Sequence, residues 1–535
     1  MGSGFVRVMA AKGKPPQIVQ LSTAELEQLL AEVRVLLPPA TYALIQSLLR
    51  TLVWIMGLLE QKQTTIARLR RLIFGEKTEK ARKIFPEGFL ALAGSAEPKA
   101  KRKGHGRKGA KEYRGARRVK VPHPKLHIGD LCPKCLKGKL YLFNQPAQII
   151  RVVAQPIFQA TLFELERLRC ALCGTLFTAP APLEAGEGKY DSSVGIMLAL
   201  TRYGMGQPMY RTDKWQSHFG VPLPASTQWK LIAAASPTPQ IVYEALVDLA
   251  ANGSLIHTDD TPMRVHSLRQ EISEKEDPRT GIFTTGLISR VAEHRIALFF
   301  TGQKHAGENL DQTLKRRAAG LDKPLHMCDA LSRNVSKEFE TILCNCLCHG
   351  RRKVVDVVDN FPEQCRKVIE ILAEVYRVDA LAKEQGLSDT QRLLLHQTQS
   401  KPVMDELHQW MREQLDHKHV EPNSGLGQAL SYLLRHWEPL TRFLSVPGAP
   451  LDNNLAERAL KMAILHRKNS LAFMTLRGAR VGDVFMSLIH TCELNEVNPF
   501  DYLMALQQHA DSVSKAPDQW LPWNYSNTLE TIDTG

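Results

Sequence analysis

Apolar residues recur every three or four positions between residues 45 and 73, which predicts a long amphipathic helix. A seam of this length exceeds what a helix packed on its own domain usually needs, and one polar position can fix register and partner number. We therefore expect a coiled coil and self-association, with packing against the same domain as the alternative. The seam positions are Ile45, Leu48, Leu52, Ile55, Leu59, Lys62, Ile66, Leu69 and Ile73.

The pattern changes to short apolar runs after residue 254, which predicts the strands of a mixed α/β layer. A helical stretch is expected near 307–319, and almost all of 361–443 has helical periodicity. The latter is therefore predicted to be a helical insertion. The predicted strands lie at 255–257, 282–289, 296–301 and 325–328.

Earlier in the chain, two short helices are predicted around 210–218 and 225–235, with Gly220 between them. Such a pair is compatible with a helix-turn-helix that reads DNA. Any two short helices joined by a glycine give the same pattern. Packing in a core is therefore an equally good interpretation.

Positive charge is concentrated in one segment of a chain whose formal net charge is +14. Residues 99–120 hold eleven Lys or Arg against one Glu, a net charge of +10. A glycine-containing basic arm is suited to phosphate backbones, since each neutralised phosphate releases a counterion. A solvated linker that binds nothing is the alternative. The candidate DNA contacts in this linker are Lys101, Arg102, Lys103, Arg107 and Lys108.

Two Cys-x-x-Cys pairs follow the linker, Cys132 with Cys135 and Cys170 with Cys173. Four thiolates in two such pairs can close a tetrahedral structural zinc site. Disulfides are the alternative, which a cytosolic setting disfavours. We therefore predict a zinc-binding module.

The length of 535 residues exceeds what one hydrophobic core normally supports, so several domains are expected. No run approaches the roughly 20 apolar residues that span a bilayer. The first residues also lack the apolar core of a secretion signal. The sequence thus favours a cytoplasmic protein and no membrane partner.

Three acidic residues stand where they could converge. Asp259 directly follows the first predicted strand, Asp329 follows the last, and Glu457 comes just after a good helix start at 452–454. Three carboxylates at one point suit a pair of divalent ions that promote phosphoryl transfer. Asp260 should point to the opposite face of its strand, so it is not expected to be a ligand.

The sequences of three motifs favour these three residues over the other acidic residues as the catalytic set. HTDDTP at 257–262, MCDALSRN at 327–334, and LDNNLAERALK at 451–461 with HRKN at 466–469 resemble the insertion-sequence-66 family of bacterial transposases. The resemblance extends over roughly 69–508. Two departures are Asp260, where a Glu is common, and Ala330-Leu331 after Asp329, where Gly-Tyr is common.

The resemblance implies a multidomain α+β protein with a coiled-coil helix, a zinc ribbon, a helix-turn-helix and a ribonuclease-H-like catalytic domain that carries a helical insertion. Its Asp, Asp, Glu set falls on Asp259, Asp329 and Glu457, which would hold two Mg²⁺ or Mn²⁺ ions. The expected boundaries are 1–80 for the coiled-coil region, 81–123 for the basic linker, 124–185 for the zinc module, 186–245 for the helix-turn-helix-like region, 246–474 for the catalytic domain with its insertion at 361–443, and 475–535 for a C-terminal element.

The implied function is a DNA transposase that binds the ends of an insertion sequence and performs metal-dependent strand cleavage and strand transfer. Its expected partners are double-stranded DNA of the transposon ends and target, further copies of itself, and small companion proteins of the same element, in the bacterial nucleoid. A zinc-dependent DNA-binding regulator without catalysis and a metal-dependent nuclease are the alternatives.

Further basic residues could hold DNA near the metals, because arginine matches phosphate oxygens with two hydrogen bonds. Ordinary surface charge is the alternative for them. A further group, Cys344, Cys346, Cys348 and His349, is interpreted as part of a strand with buried free thiols and not as a metal cluster. The additional candidate DNA contacts are Arg352, Arg458, Arg467 and Lys468.

Overall fold

The computed structural model describes residues 30–34, 36–60, 124–142, 157–169, 176–275 and 279–534. The chain divides into two compact units, residues 1–86 and 87–535. In the described part of the chain, no helix is both long enough and apolar enough to cross a membrane.

The first unit contains helix α1, Pro39–Glu60, which begins at a proline because the first turn needs no amide donor there. Leu44 and Leu48 on this helix are exposed, so apolar surface is available on it. The predicted seam continues to Ile73, and its positions from Lys62 onward lie outside the described residues. The coiled coil therefore stays a prediction.

The second unit begins with a small hairpin and four helices. Strands β1, Arg167–Arg169, and β2, Leu176–Thr178, pair antiparallel. The helices that follow are α2, Ser192–Ala199, α3, Met209–His218, α4, Ala225–Ala234, and α5, Pro237–Ala251.

Helices α3 and α4 occupy the positions that the sequence pattern predicts, and they are joined through Gly220 at φ +72°. Two buried glutamines fix them in place. Gln216 donates to the Phe158 carbonyl at 2.9 Å, and Gln228 donates to the Leu223 carbonyl at 2.7 Å. A buried amide NH₂ group that donates to a carbonyl avoids part of the cost of desolvation, so these bonds anchor the helix pair, although Gln216 Oε1 is buried without a partner in the described part of the chain.

A five-stranded mixed sheet forms the centre of the second unit. The strand order is β5-β4-β3-β6-β7. The first three strands form an antiparallel meander, and β6 and β7 are parallel to β3. The strands are β3, Leu255–Pro262, β4, Phe283–Val291, β5, His294–Gly302, β6, Leu325–Cys328, and β7, Ile342–Asn345. Helix α6, His266–Glu274, lies between β3 and β4 in the chain, and helix α7, Ala306–Leu314, connects β5 to β6.

Two features of this sheet differ from the sequence prediction. Strand β3 continues through Asp259 and Asp260, because their backbones pair with Gly286 and Thr285 of β4. The two acids are therefore within the strand and do not follow it. Strand β7 covers only the first part of the strand that the alternating cysteines at 344–348 suggest.

Helices from the second half of the chain cover the sheet. Helix α8, Leu347–Val355, precedes the predicted insertion at 361–443, and within those bounds lie α9, Pro362–Glu384, α10, Asp389–Leu395, α11, Lys401–Asp416, α12, Gly425–Arg435, and α13, Trp437–Leu440. The insertion is followed by α14, Asn454–Ser470, α15, Leu476–Leu494, α16, Pro499–Gln508, α17, Ala510–Lys515, and α18, Tyr525–Thr534. The helical prediction for 361–443 agrees with these bounds.

A buried carboxylate joins two helices of the insertion. Asp379 on α9 accepts a hydrogen bond from Arg392 of α10 at 2.7 Å and pairs with Lys383 at 2.6 Å. The Asp379 side chain is only 4% exposed. The hydrogen bonds to His396 and Lys383 and the charge of Arg392 outweigh burial, so the pKa of Asp379 lies below its ordinary value. A buried charge of this kind is tolerated because it is fully paired.

Helix α15 supplies hydrogen-bond partners to the outer edge of β5. Every fourth residue of the helix meets every second residue of the strand, because four residues of helix and two of strand both span roughly 6 to 7 Å. Four side-chain oxygens of α15 and of the residue after it accept from outward-facing amides of β5 at 2.8 to 3.2 Å. The pairs are Asp483 with Thr301, Ser487 with Phe299, Thr491 with Ala297, and Asn495 with Arg295.

Folding stability is expected to fall as pH rises from about 4 to about 7 through Asp483. Burial raises the pKa of this carboxyl from 3.8 to about 7, so the folded protein binds a proton more tightly than the unfolded chain. The stabilisation is complete below pH 4 and is lost as pH rises through 7, with an upper bound of roughly 4 kcal/mol. Urea unfolding at pH 5 and pH 8 measures it.

Two variants serve as controls for this pH effect. Asp483→Asn should reduce the difference between the two pH values, because the amide does not titrate, and the part that stays comes from other shifted groups such as Asp259. Ser487→Ala, one helical turn away on the same edge, should lower the urea midpoint equally at both. An Asp483→Asn protein with the pH dependence of the wild type would contradict the prediction.

Candidate active site

Asp259 lies within β3, and Asp329 directly follows the end of β6, the parallel neighbour of β3. The register of β3 and β6 pairs His257 with Met327. Two residues further, the same register aligns Asp259 with Asp329. Side chains in register on adjacent strands point to the same face, so the two carboxylates share one surface.

Glu457 reaches this surface from the first turn of α14. Helix α14 packs closely on β4, where a Cβ at Gly286 would lie 3.0 Å from the Leu460 side chain. Gly286 is also the strand partner of Asp259. The glycine therefore permits the close approach that brings the helix carrying Glu457 next to the strand carrying Asp259.

The buried side chain of Asn453 anchors the start of α14. Its Nδ2 donates to the Thr258 carbonyl at 2.8 Å, and its Oδ1 lies 3.1 Å from His257 Nδ1. Its backbone amide donates to Cys346 Sγ at 3.3 Å. A single residue thus connects β3, the residue preceding α8, and α14, and it fixes the position of Glu457 one turn later.

The carboxyl group of Asp259 is influenced by the charges of three other acids. Burial is the largest cause that raises its pKa to about 7, and the negative charges of Asp329, Glu457 and Asp260 raise it further. A hydrogen bond from the Asp260 amide to Asp259 Oδ1, at 2.8 Å, acts in the opposite direction. Mutual repulsion of this kind is relieved by a bound cation.

Asp260 points away from this surface. Its carboxylate accepts hydrogen bonds from Thr285 Oγ1 at 2.6 Å and from the Ala306 amide at 3.0 Å, and it lies 3.2 Å from His305 Nδ1. The side chain is 3% exposed. Asp260 therefore joins β3 to β4 and to the start of α7, and the structure gives it a packing role.

Asp329 and Glu457 differ in how their oxygens are satisfied. Asp329 Oδ1 accepts from Asn334 Nδ2 at 2.7 Å and from the Leu331 amide at 3.2 Å, which orients the side chain. Glu457 Oε1 is buried and has no hydrogen-bond partner within the described part of the chain. Carboxylate oxygens are the ligands that Mg²⁺ prefers, and an unsatisfied one has capacity for a cation. The residues present therefore fit a divalent metal.

The region around Cys346 differs from the strand that the sequence suggested. Strand β7 ends at Asn345, so Cys348 and His349 lie on helix α8. Cys344 and Cys346 are buried thiols, as predicted, and Cys348 is half-buried. His349 Nε2 lies 3.9 Å from Glu457 Oε1. The prediction that this cluster shares one strand face is thus wrong, because the chain turns into a helix there.

Arg467, a predicted DNA contact, is held by the protein itself. Its Nη1 donates to Thr261 Oγ1 at 3.1 Å and to the Pro262 carbonyl. These bonds connect the end of α14 to the end of β3. The contact anchors the guanidinium next to the strand that carries Asp259.

The other predicted DNA contacts have different settings. Arg458 and Lys468 are exposed on α14, and Arg458 Nε donates to the Asn454 carbonyl at 3.2 Å. Arg352 is half-buried on α8. Lys101, Arg102, Lys103, Arg107 and Lys108 lie outside the described residues.

Only half of the predicted zinc site falls in the described part of the chain. The Cys132 amide donates to the Gly138 carbonyl at 2.7 Å, which closes a tight turn around Cys135. Hydrogen bonds from the Gly138 and Lys137 backbone lower the pKa of the Cys135 thiol, and this favours the thiolate that metals require. Cys170 and Cys173 lie outside the described residues, so the zinc site stays a prediction.

Sequence reasoning did not identify Asn453 as part of this site, and it considered His349 as a candidate phosphate contact and not as a metal ligand. Asn453 belongs to the DNN stretch at 452–454, which was interpreted only as a helix start. Its buried contacts with β3 depend on the tertiary fold. For His349, the i, i+3 spacing from Cys346 was the available signal, and it was outweighed by the strand interpretation.

Comparison with known proteins supports these observations. Residues 188–481 match the family model described as Transposase IS66 family. An uncharacterized protein of Sinorhizobium fredii, y4jD, is 26% identical over 418 residues, which cover 73% of this chain and 77% of that protein. A second, y4hP of the same organism, is 23% identical over 497 residues, with 86% and 88% covered. The family model covers more than half of the chain, so the protein belongs to the IS66 family of transposases.

Proposed function

We propose that this protein is a DDE-type DNA transposase that cleaves the ends of an insertion sequence and joins them to target DNA. The observation that supports the proposal is that the negative charges of Asp329 and Glu457 act on Asp259, whose pKa is raised chiefly by burial. Two Mg²⁺ or Mn²⁺ ions at this point would supply an activated water or hydroxyl and stabilise the leaving oxygen.

Each residue of the site has a distinct part in this proposal. Asp259 and Asp329 offer carboxylate oxygens from adjacent strands, and Glu457 offers another from a helix. Asn453 positions Glu457 through its bonds to β3. Asp260 holds the strand against β4 and α7, and it is not a ligand.

We also propose roles for the other parts of the chain. The mixed sheet, an antiparallel meander extended by two parallel strands, is compatible with a ribonuclease-H-like catalytic domain. Helices α3 and α4 would act as a helix-turn-helix, and the four cysteines at 132–173 as a zinc ribbon. The basic linker would supply phosphate contacts, and the N-terminal helix self-association. Companion proteins of the same element are further proposed partners.

The purified full chain is expected to nick DNA that carries the ends of its element and to join the new 3′ ends to a second duplex. Both reactions should require Mg²⁺ and stop with a chelator, because three clustered carboxylates need a cation between them. Labelled end fragments separated on denaturing gels measure cleavage and joining together.

The alternatives give different products in the same assay. Cleavage without joined product would identify a nuclease, and binding without either reaction would identify a regulator. A scrambled end sequence of equal length serves as the control, since phosphate contacts alone bind it but do not specify it. Equal cleavage of both substrates would contradict recognition of the element's ends.

A further inference from the structure

Glu457 also belongs to a second set of side chains that could hold a metal ion. Ligand atoms of Cys346, His349 and Glu457 all lie within 4.8 Å of one another. Cys346 immediately precedes α8 and His349 is in its first turn. The i, i+3 spacing places both side chains on one face of the helix start, and that face is directed at α14.

The chemistry of this set differs from that of the carboxylate cluster. A thiol, an imidazole and a carboxylate are the ligands of zinc, whereas magnesium prefers oxygen ligands alone. Cys346 is 1% exposed, and the side chains of His349 and Glu457 are 27% and 31% exposed. Three protein ligands with access to solvent leave a fourth position for water, as open zinc sites do.

Two atoms in the set are otherwise unexplained. Glu457 Oε1 and His349 Nδ1 are buried and have no hydrogen-bond partner within the described residues. Buried polar atoms are normally paired, so unpaired ones at the same point call for a ligand. Either imidazole nitrogen is a competent zinc ligand, and the one left over can be satisfied by water.

We propose that Cys346, His349 and Glu457 form a zinc site that competes with the magnesium site for Glu457. Zinc bound there draws the carboxylate toward α8, and the thiol gives its proton to solvent. Zinc is then an inhibitor of the magnesium-dependent reaction. The inference rests on the proposed function for its inhibitory effect, whereas zinc binding itself is independent of catalysis.

Zinc content of the full chain tests the site without reference to activity. After exposure to zinc and removal of the excess, Cys346→Ser should hold about one equivalent less per chain than the wild type. Cys344→Ser is the matched control, because Cys344 is a buried thiol two residues earlier that is not in the ligand set. The cysteines at 132–173 are present in every variant and cancel in the comparison.

Zinc inhibition of DNA cleavage is the second measurement. The zinc concentration that halves each variant's own magnesium-dependent rate should rise at least about 10-fold in Cys346→Ser and in His349→Gln, and stay unchanged in Cys344→Ser. His349→Gln keeps the test decisive if Cys346→Ser fails to fold, because His349 is partly exposed and its replacement leaves the buried thiols intact.

The outcomes separate the two proposals. Equal zinc content in Cys346→Ser, His349→Gln and Cys344→Ser would overturn the zinc site while the transposase function stands. Loss of zinc from Cys346→Ser in a protein that never cleaves DNA would support the site and count against the proposed function. Zinc content that falls without any change in inhibition would overturn the competition for Glu457.

Discussion

Asp259→Asn, Asp329→Asn and Glu457→Gln are each expected to lower magnesium-dependent DNA cleavage by about 10³-fold or more, which corresponds to about 4 kcal/mol in the barrier. Each removes one carboxylate from a cation site in which the others cannot replace it. Binding of end DNA should persist, because its affinity comes from basic residues and helices elsewhere. Cleavage and gel-shift assays on the same preparations provide the comparison.

Asp260→Asn is the matched control for the carboxylate series. Asp260 is the next residue on the same strand, but its oxygens bind Thr285, Ala306 and His305. Its replacement should lower the thermal midpoint and leave the magnesium requirement of the folded fraction unchanged. Full cleavage by any of the three carboxylate variants would remove that residue from the site, and loss confined to Asp260→Asn would mean that the wrong neighbour was chosen.

Asn453→Ala should have the next largest effect, a decrease in cleavage of about 10-fold together with a higher magnesium requirement. The substitution removes the hydrogen-bond partner that Asn453 provides to the Thr258 carbonyl and to His257 in a buried environment. Each group left unsatisfied lowers the free energy of unfolding by about 1 to 3 kcal/mol. It also frees the first turn of α14, so Glu457 is held less accurately. Cleavage rates across a magnesium titration, with thermal midpoints, measure both effects.

Asn454→Ala is the control for this substitution, because Asn454 is the next residue of the same helix start and is not buried. It should leave the magnesium dependence unchanged. A loss of stability in Asn453→Ala with the magnesium dependence of the wild type would show that Asn453 supports the fold alone and does not position Glu457.

Much of the sheet was predictable because its strands are buried on both faces and read as apolar runs. The limits of β4 and β5 differ from the prediction by one or two residues at each end. Strand β3 was predicted too short because Asp259 and Asp260 are polar. They stay in the strand because β4 supplies backbone partners as far as Pro262, which hydrophobic patterning cannot reveal. Strand β7, Ile342–Asn345, ends earlier than the strand that was inferred from the alternating cysteines, because the chain enters helix α8 at Leu347.

The acids of the candidate site could be selected from motif wording, and the alternation of side chains correctly separated Asp259 from Asp260. The contacts that place Glu457 could not be predicted in this way. They depend on a close approach at Gly286, on the buried bonds of Asn453, and on the turn from strand into helix before His349. Each joins residues that are distant in sequence, so no local pattern contains them.

The bonds between α15 and β5 also determine how copies of this chain can associate. An unpaired strand edge is a template on which a strand from another molecule can add, and such addition leads to aggregation or exchange of segments. At β5 the amides of Arg295, Ala297, Phe299 and Thr301 already have intramolecular acceptors. The mixed sheet therefore cannot be extended at this edge by a strand from a second copy of the chain.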